Sequence, residues 1–563
     1  MKNTYVLGIH DGHNAGAALI CNGTVVAAIN EERLNNLKNY AGTPILSIKK
    51  VFEIANASPS EVDLIAVGCY LRMGDPLKVD GNPIHSLQET ISPYLHEKWF
   101  VKTYVKLLHL KRETKSLYEV LQELGIRQKK LIFVEHHLTH AACAFYQRPW
   151  KGKTLILTLD GMGDGLSSTV SIGDNFKIKR IAETTFYHSL SNNLYSEITG
   201  FLGMKRWEHE YKVMGMAPYG KAEYVIDSLR GIIRINPKNP LEFQNISGSY
   251  LKALQPLYQK LLAGQRFDNI AAATQQLFEE LVVQWVKNAV KETKIKKIVC
   301  AGGGFLNVKA NKLLRELPEV EDIFFYPSSD DGGTPVGAAM EGYARFCEDQ
   351  GTTPTIEPIS GVYYGQQFSD QYIQEFIKKK KLQKKSRKVT ADEVAKLLSE
   401  GKIIARFAGR DEWGPRALGN RTIMADPRNM KVIRQINFAI KQRDFWMPFA
   451  PAILEEDGKR YLKNYRFAPY MIEAFDTNEE AMELIAGLHP FDLTARPQIV
   501  NDWNPGWQAI IRAFKKRTGV GSLLNTSFNL HGSPLVGTPE VAYDTLKNSA
   551  LDGLLLEDWL IER

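Results

Sequence analysis

The chain has 563 residues, 24% charged and 44% hydrophobic, which predicts a soluble globular protein of about two to four domains. No apolar run approaches the roughly 18–20 residues of a membrane span, and MKNTYVLGIHDG opens a strand pattern almost at once, so neither a membrane segment nor a secretory signal is expected. The net charge of +8 is matched by the eight basic residues of the single run Lys378–Lys388, so the remainder is balanced and charge makes no case for a nucleic-acid face.

In chain order, the first strong pattern is strand–turn–strand–turn–strand over Tyr5–Glu31, and the same layout returns over Thr154–Thr185. In each copy an apolar strand runs into an Asp-Gly turn, Asp11-Gly12 in one and Asp160-Gly161 in the other. Such turns supply the positive-φ positions a hairpin needs, and their free N–H groups can cradle a phosphate. Two copies followed by helical segments predict a duplicated fold of the actin, sugar-kinase and Hsp70 type. Helices are expected over Thr43–Ala55, Leu117–Leu124 and Ala271–Lys291. Next comes KKIVCAGGGFLNVKANKLLREL, a strand, a glycine triplet and a new helix, where backbone can approach an anion. A Pro/Thr/Gly-rich loop near residue 355 marks the expected boundary between a domain 1–354 and a domain 355–563. The lysine run after it reads as a solvated helix end or linker, with an anionic partner as the lesser reading. The five cysteines, Cys21, Cys69, Cys143, Cys300 and Cys347, are scattered without a C-x-x-C pair, which fits a reducing cytoplasm and excludes a disulfide scaffold.

Two groups of residues carry chemistry. VEHHLTHAA places His136 and His140 at i and i+4, on one face of a helix, the spacing of a metal-binding pair; His137 competes with them. The turn YPSSDDGG offers Asp330 or Asp331 as the third ligand, and two imidazoles with one carboxylate suit iron(II) or zinc. In the C-terminal part, Arg416, Arg421, Lys441, Arg443 and Arg496 stand among Pro/Gly turns and apolar strings, beside the hydroxyl and amide donors Asn525, Thr526 and Ser527. Guanidinium forks and lysine point charges in that number suit a triphosphate or an acyl phosphate.

With the motifs GHNAGAAL, EERLNNLK, EHHLTHAA, LTLDGMGDG, EYKVMGMAPYG, AGGGFLN, DDGGTPVGAA, GPRALGNRTIMADP, KQRDFWMPFAP and NTSFN, the chain resembles O-carbamoyltransferases of the NodU/CmcH family over essentially its whole length. The resemblance implies an α/β protein with an actin-like N-terminal domain and a smaller YrdC-like C-terminal domain. It implies that the C-terminal domain makes carbamoyl adenylate from carbamoyl phosphate and ATP with Mg²⁺, and that the N-terminal domain passes the carbamoyl group to a hydroxyl of a small molecule. Carried over residue by residue, it puts a metal, Fe(II) or another divalent ion, on His136, His140 and Asp331, with Asp160 beside the metal or nucleotide. Gly303, Gly304 and Asn307 match its nucleotide-holding turn. Lys38 and Lys212 match lysines that face phosphate or acceptor, and His13 is the candidate general base, since an imidazole can take a proton near neutral pH. Where the family reads GHDA this chain has GHNA, and LNNLKNYAG replaces a basic stretch, so the acceptor is what these departures leave open. The expected setting is cytoplasmic, without nucleic acid or membrane and with a homodimer as one option. The competing readings are a tRNA threonylcarbamoyl-type enzyme and an Hsp70-like ATPase without acyl transfer.

Overall fold

The computed structural model describes residues 3–71, 97–109, 114–126, 130–441 and 443–563. Its chain divides into two compact units, one of residues 1–31 and 39–359 and one of residues 32–38 and 360–563. A single cut along the sequence does not reproduce this division, because the short segment 32–38 belongs to the second unit.

The first unit holds two five-stranded sheets. In one, β1 (Tyr5–His10), β2 (Gly16–Cys21), β3 (Thr24–Asn30), β4 (Val62–Gly68) and β5 (Lys130–Val134) lie in the order β3-β2-β1-β4-β5. In the other, β6 (Thr154–Gly163), β7 (Leu166–Asp174) and β8 (Lys177–Thr185) precede a small hairpin of β9 (Ile233–Ile235) and β10 (Phe243–Asn245). Then β11 (Lys297–Ala301) and β12 (Asp322–Phe325) complete the order β8-β7-β6-β11-β12. Both sheets open with an antiparallel meander and continue with two parallel strands on the side of the first strand. The repeat in sequence is therefore a repeat in topology, the duplicated actin-like arrangement.

Helices cover these sheets. The helix Ile45–Ala55 starts where the Glu31 carboxylate accepts from the N–H groups of Leu46 (3.0 Å) and Ser47 (2.7 Å), and it stops at Asn56 in the left-handed region (φ 50°). Helix Lys115–Glu123 covers the expected Leu117–Leu124 except for its C-cap Leu124, and helix Phe267–Thr293 contains the expected Ala271–Lys291. The longer helix buries Ile270, Thr274, Leu277, Val282, Trp285 and Ala289, a stripe at helical spacing, and Trp285 donates its indole N–H to the Leu241 carbonyl at 2.8 Å. No helix among the described residues is long and apolar enough to cross a membrane.

The second unit is built on an eight-stranded mixed sheet. Its strands are β13 (Ser386–Lys388), β14 (Ile404–Phe407), β15 (Arg421–Ala425), β16 (Ala450–Leu454), β17 (Gln498–Val500), β18 (Ser522–Ser527), β19 (Gly553–Leu556) and β20 (Trp559–Glu562). They lie in the order β13-β20-β19-β14-β15-β18-β16-β17. Apolar side chains fill both faces: Trp507, Phe514 and Tyr461 lie in one cluster, Phe407, Phe449 and Leu556 in the other. The lysine run ends the helix Asp370–Lys379, turns through Lys381 at φ 57° and enters edge strand β13, where Arg387 pairs with Glu393. It is a solvated helix end and edge.

Candidate metal centre and anion site

The helix His136–Tyr146 follows β5 directly, and its first turn is capped by Glu135, whose carboxylate accepts from the N–H groups of His137 (3.1 Å) and Leu138 (2.9 Å). Asp164, in the β6–β7 turn, accepts 2.8 Å bonds from the backbone N–H groups of Tyr70, Leu71 and His136. The helix start and the chain leaving β4 are thus tied to one carboxylate. Gly163 lets β6 pass the His136 ring: a Cβ there would lie 2.0 Å from the imidazole.

On this frame His136, His140, Asp160 and Asp331 converge, with one ligand atom from each within 4.8 Å of all the others. His136 Nε2 is 3.1 Å from His140 Nε2, 3.2 Å from an Asp160 oxygen and 3.5 Å from Asp331 Oδ1, which is also 3.5 Å from His140 Nε2. Asp331 Oδ1 is buried without a hydrogen-bond partner. Two imidazole nitrogens and two carboxylates aimed at one point, with an orphaned oxygen among them, fit a divalent cation. Burial disfavours charge on Asp160, but the His136 hydrogen bond and the neighbouring imidazoles outweigh it and hold the carboxyl well below its usual range. Burial works against the charged form of His136 too, yet Cys69, Asp331 and Asp160 outweigh it and hold the imidazole well above its ordinary value.

The competing residues point elsewhere. His137 Nδ1 meets the Thr158 hydroxyl at 2.8 Å, and burial, with the charge of His136, pushes its pKa down to about 3. The Asp330 carboxylate accepts from the Ser328 hydroxyl (3.3 Å) and from the Asn14 amide (3.4 Å). The asparagine of GHNA is therefore a neutral donor to Asp330, where the carboxylate of GHDA would stand opposite another carboxylate. His13, beside it, is half-buried in the β1–β2 turn and lies within electrostatic reach of Glu210, a half-buried carboxyl that accepts from the Ser196 hydroxyl. Lys212 is buried on the helix Glu210–Met216 that Glu210 begins. Lys38 falls in the second unit, where its charge acts on Lys441.

The glycine turn after β11 carries Gly302, Gly303 and Gly304. Gly302 adopts φ 101° and a Cβ on it would lie 2.3 Å from the Leu159 carbonyl, so the turn passes directly over β6. Gly303 N–H donates to Asp160 at 2.9 Å, and Gly304 lies over the Leu159 side chain. Asn307 caps the helix Val308–Arg315 through the Ala310 N–H (3.1 Å) and exchanges two amide bonds with Gln275. Gly303 holds the acidic cluster in place, and Asn307 is a cap.

In the second unit the C-terminal residues separate into two kinds. Arg421, fully buried, stacks on Phe407 at 3.8 Å and spends its terminal N–H groups on the carbonyls of Gln366, Ala408, Gly409 and Asn420. Asn525 donates to the Ala417 carbonyl and to Gln498, both at 3.0 Å, and accepts from Thr422. Both hold the GPRALGN loop, as does Glu412, which accepts the N–H groups of Leu418, Asn420 and Arg421. The hydrogen bonds of Arg421 and Asn525 thus run to the protein, while Arg421 Nε has no hydrogen-bond partner among the described residues. Arg416, Arg443 and Arg496 are half-buried and close enough that burial, Arg416 and Arg443 together push Arg496 well below the arginine range. Arg496 makes no hydrogen bond or ion pair with the described residues. Lys441, 4% exposed, donates among the described residues only to neutral oxygens, those of Ser527 and Asn529, and burial, with Arg443 and Lys38, lowers its pKa strongly. Thr526 lies on β18 opposite Ile423.

Sequence reasoning missed Asp164, Glu135, Glu412 and Asn529. Asp164 was visible in LTLDGMGDG; the others carry no signal until their partners are known.

The first α/β unit thus carries two imidazoles and two carboxylates gathered at one point, and the second carries a group of basic side chains. The family pattern described as Carbamoyltransferase N-terminus matches residues 5–340 and that described as Carbamoyltransferase C-terminus matches residues 395–563; the chain belongs to the carbamoyltransferase family and is an enzyme. It is 31% identical to nodulation protein NolNO of Sinorhizobium fredii over all of this chain and 80% of that one. It is 30% identical to an uncharacterized protein of Synechocystis sp. over all of this chain and 97% of that one. The 3'-hydroxymethylcephem-O-carbamoyltransferase of Amycolatopsis lactamdurans is 29% identical over 59% of this chain and 61% of its own.

Proposed function

We propose that this carbamoyltransferase makes carbamoyl adenylate from carbamoyl phosphate and ATP in its second unit and transfers the carbamoyl group to a hydroxyl of a small molecule in its first. The observation that carries the reading is the placing of Arg496 and Lys441: two basic side chains with no carboxylate partner among the described residues call for an anion as their counterpart. Water hydrolyses carbamoyl phosphate to carbamate and phosphate, a carbamate oxygen attacks the α-phosphorus of ATP to form carbamoyl adenylate, and pyrophosphate leaves. Arg416, Arg443, Arg496 and Lys441 would hold the polyphosphate and balance the charge that grows on the leaving group, with Mg²⁺ bound to the nucleotide as substrate. Ser527, Thr526 and Asn529 would complete that shell, and Lys38 would add a charge at its edge.

In the transfer step the acceptor hydroxyl attacks the carbamoyl carbon and AMP leaves. His13 would take the hydroxyl proton, and Glu210 would steady the resulting imidazolium. A divalent metal, Fe(II) in the resemblance, would be held by His136, His140, Asp160 and Asp331 and would supply Lewis acidity. Gly303 would keep Asp160 oriented, and Lys212 would stand toward phosphate or acceptor. A hydroxyl acceptor is supported by the O-carbamoyl transfer in the name of the Amycolatopsis relative.

Single-turnover mixing of preformed carbamoyl adenylate with a hydroxylated acceptor tests this. His13→Asn should lower transfer by about 10²–10⁴-fold while pyrophosphate release from ATP continues. Transfer within a few-fold of wild type would remove His13 as the base.

A further inference from the structure

The ligand His136 does not stand alone on its far side. Its Nδ1 lies 3.1 Å from Cys69 Sγ, Cys69 Sγ lies 3.5 Å from His10 Nδ1, and His10 Nε2 lies 2.9 Å from the carbonyl oxygen of His13. His10, Cys69 and His136 are all buried, at 0%, 1% and 0% exposure, so no water competes for these bonds. Cys69 stands just after β4 at φ 73°, a backbone region costly for any residue but glycine, and its N–H is fixed to the Val134 carbonyl at 2.7 Å. The strained turn aims the sulfur between the two rings.

The chain of contacts has only one consistent direction. A carbonyl oxygen can only accept, so His10 carries its proton on Nε2 and presents a lone pair at Nδ1. Among the described residues, the hydrogen that meets that lone pair is the thiol S–H of Cys69. The sulfur, having donated, accepts from His136 Nδ1–H, so the proton that a cation displaces is the one on Nε2, and Nε2 is the nitrogen left to ligate beside His140, Asp160 and Asp331. We propose that Cys69 and His10 are positioning residues that lock His136 in its Nε2-ligating tautomer through a one-way relay ending on the His13 carbonyl. The proposal rests on the reading of the four-residue cluster as a metal site. It also gives the GIHDGH turn a second task, since the histidine that anchors the relay and the candidate base sit three residues apart on one turn.

The test uses the full chain, metal-free, with Co²⁺ as the probe and a chromophoric chelator as competitor. Cys69→Ala removes both bonds and should weaken Co²⁺ binding about 10–100-fold, the usual range for loss of a ligand's supporting partner. Cys69→Ser keeps a donor and an acceptor and should restore most of that affinity. Cys69→Ala binding Co²⁺ as wild type does, or Cys69→Ser losing as much as Cys69→Ala, would overturn the relay. Failure of wild type to bind Co²⁺ would count against the metal reading itself. The relay is then decided by ¹⁵N NMR of histidine-labelled wild type: a proton on His10 Nε2 supports it, and a proton on His10 Nδ1 overturns it.

Discussion

Lys441 shows how one residue reports on the site around it. Its ammonium is buried among neutral oxygens, and burial together with Arg443 and Lys38 depresses its pKa. A depressed lysine destabilises the fold wherever it is charged, at pH values below its folded pKa. Stability therefore rises as pH increases from that lowered value toward the ordinary lysine value of about 10.4, because over this window the unfolded chain holds the proton that the folded one has shed. A bound anion reverses the shift, so binding in the same window takes up a proton. Calorimetric titration with pyrophosphate in two buffers of different protonation enthalpy should show net uptake in wild type and less in Lys441→Met. Uptake that is equal in both proteins would detach Lys441 from the anion site.

The GPRALGN loop makes a clear case at the scale of elements. It is held from within by Arg421, Glu412 and Asn525, while Arg416 projects from it half-buried. Arg421→Met would leave several buried carbonyls unpaired and should cost about 3–5 kcal/mol, the range for breaking a buried charged network. Arg416→Ala should leave stability within about 0.5 kcal/mol of wild type and act on substrate binding instead. Urea unfolding of the two variants, compared with their pyrophosphate release, separates holding from binding; equal stability losses would contradict the division. In sequence the two arginines look alike, because charge and motif are visible there and partners are not. The same reason explains Asn307, whose amide is spent on a helix cap and Gln275, and Lys38, whose company changes with seven residues that fold into the second unit. What the sequence does carry is periodicity and local spacing: the repeated Asp-Gly meanders, the i, i+4 histidines and the long amphipathic helix are all set by neighbours within one element. Cys69 and His136, 67 positions apart, meet only through the β4–β5 pairing.

For the whole molecule, the segment 32–38 ties the second unit's fold to a piece of chain far away in sequence. Arg33 is 5% exposed, donates to the Gly414 carbonyl at 2.9 Å and lies 3.9 Å from Asp411, while its own carbonyl packs against Gly537. A fragment of residues 360–563 would lack this cation and leave Asp411 buried without it, a loss of about 3–5 kcal/mol. Such a fragment should be markedly less stable to urea than the same residues in the full chain, with faster hydrogen exchange across 411–421. Arg33→Ala in the full chain should reproduce part of that loss. A fragment as stable and as protected as the full chain would show that 32–38 is an appendage.

The account as a whole turns on the fate of ATP, and the nucleotide products test it most directly. The purified full chain is incubated with ATP, Mg²⁺ and carbamoyl phosphate, and with ATP and Mg²⁺ alone, and the products are separated by ion-exchange chromatography. The account predicts pyrophosphate and AMP or carbamoyl adenylate, formed only when carbamoyl phosphate is present and lost in Arg496→Ala. ADP and phosphate, formed at the same rate with or without carbamoyl phosphate, would contradict it.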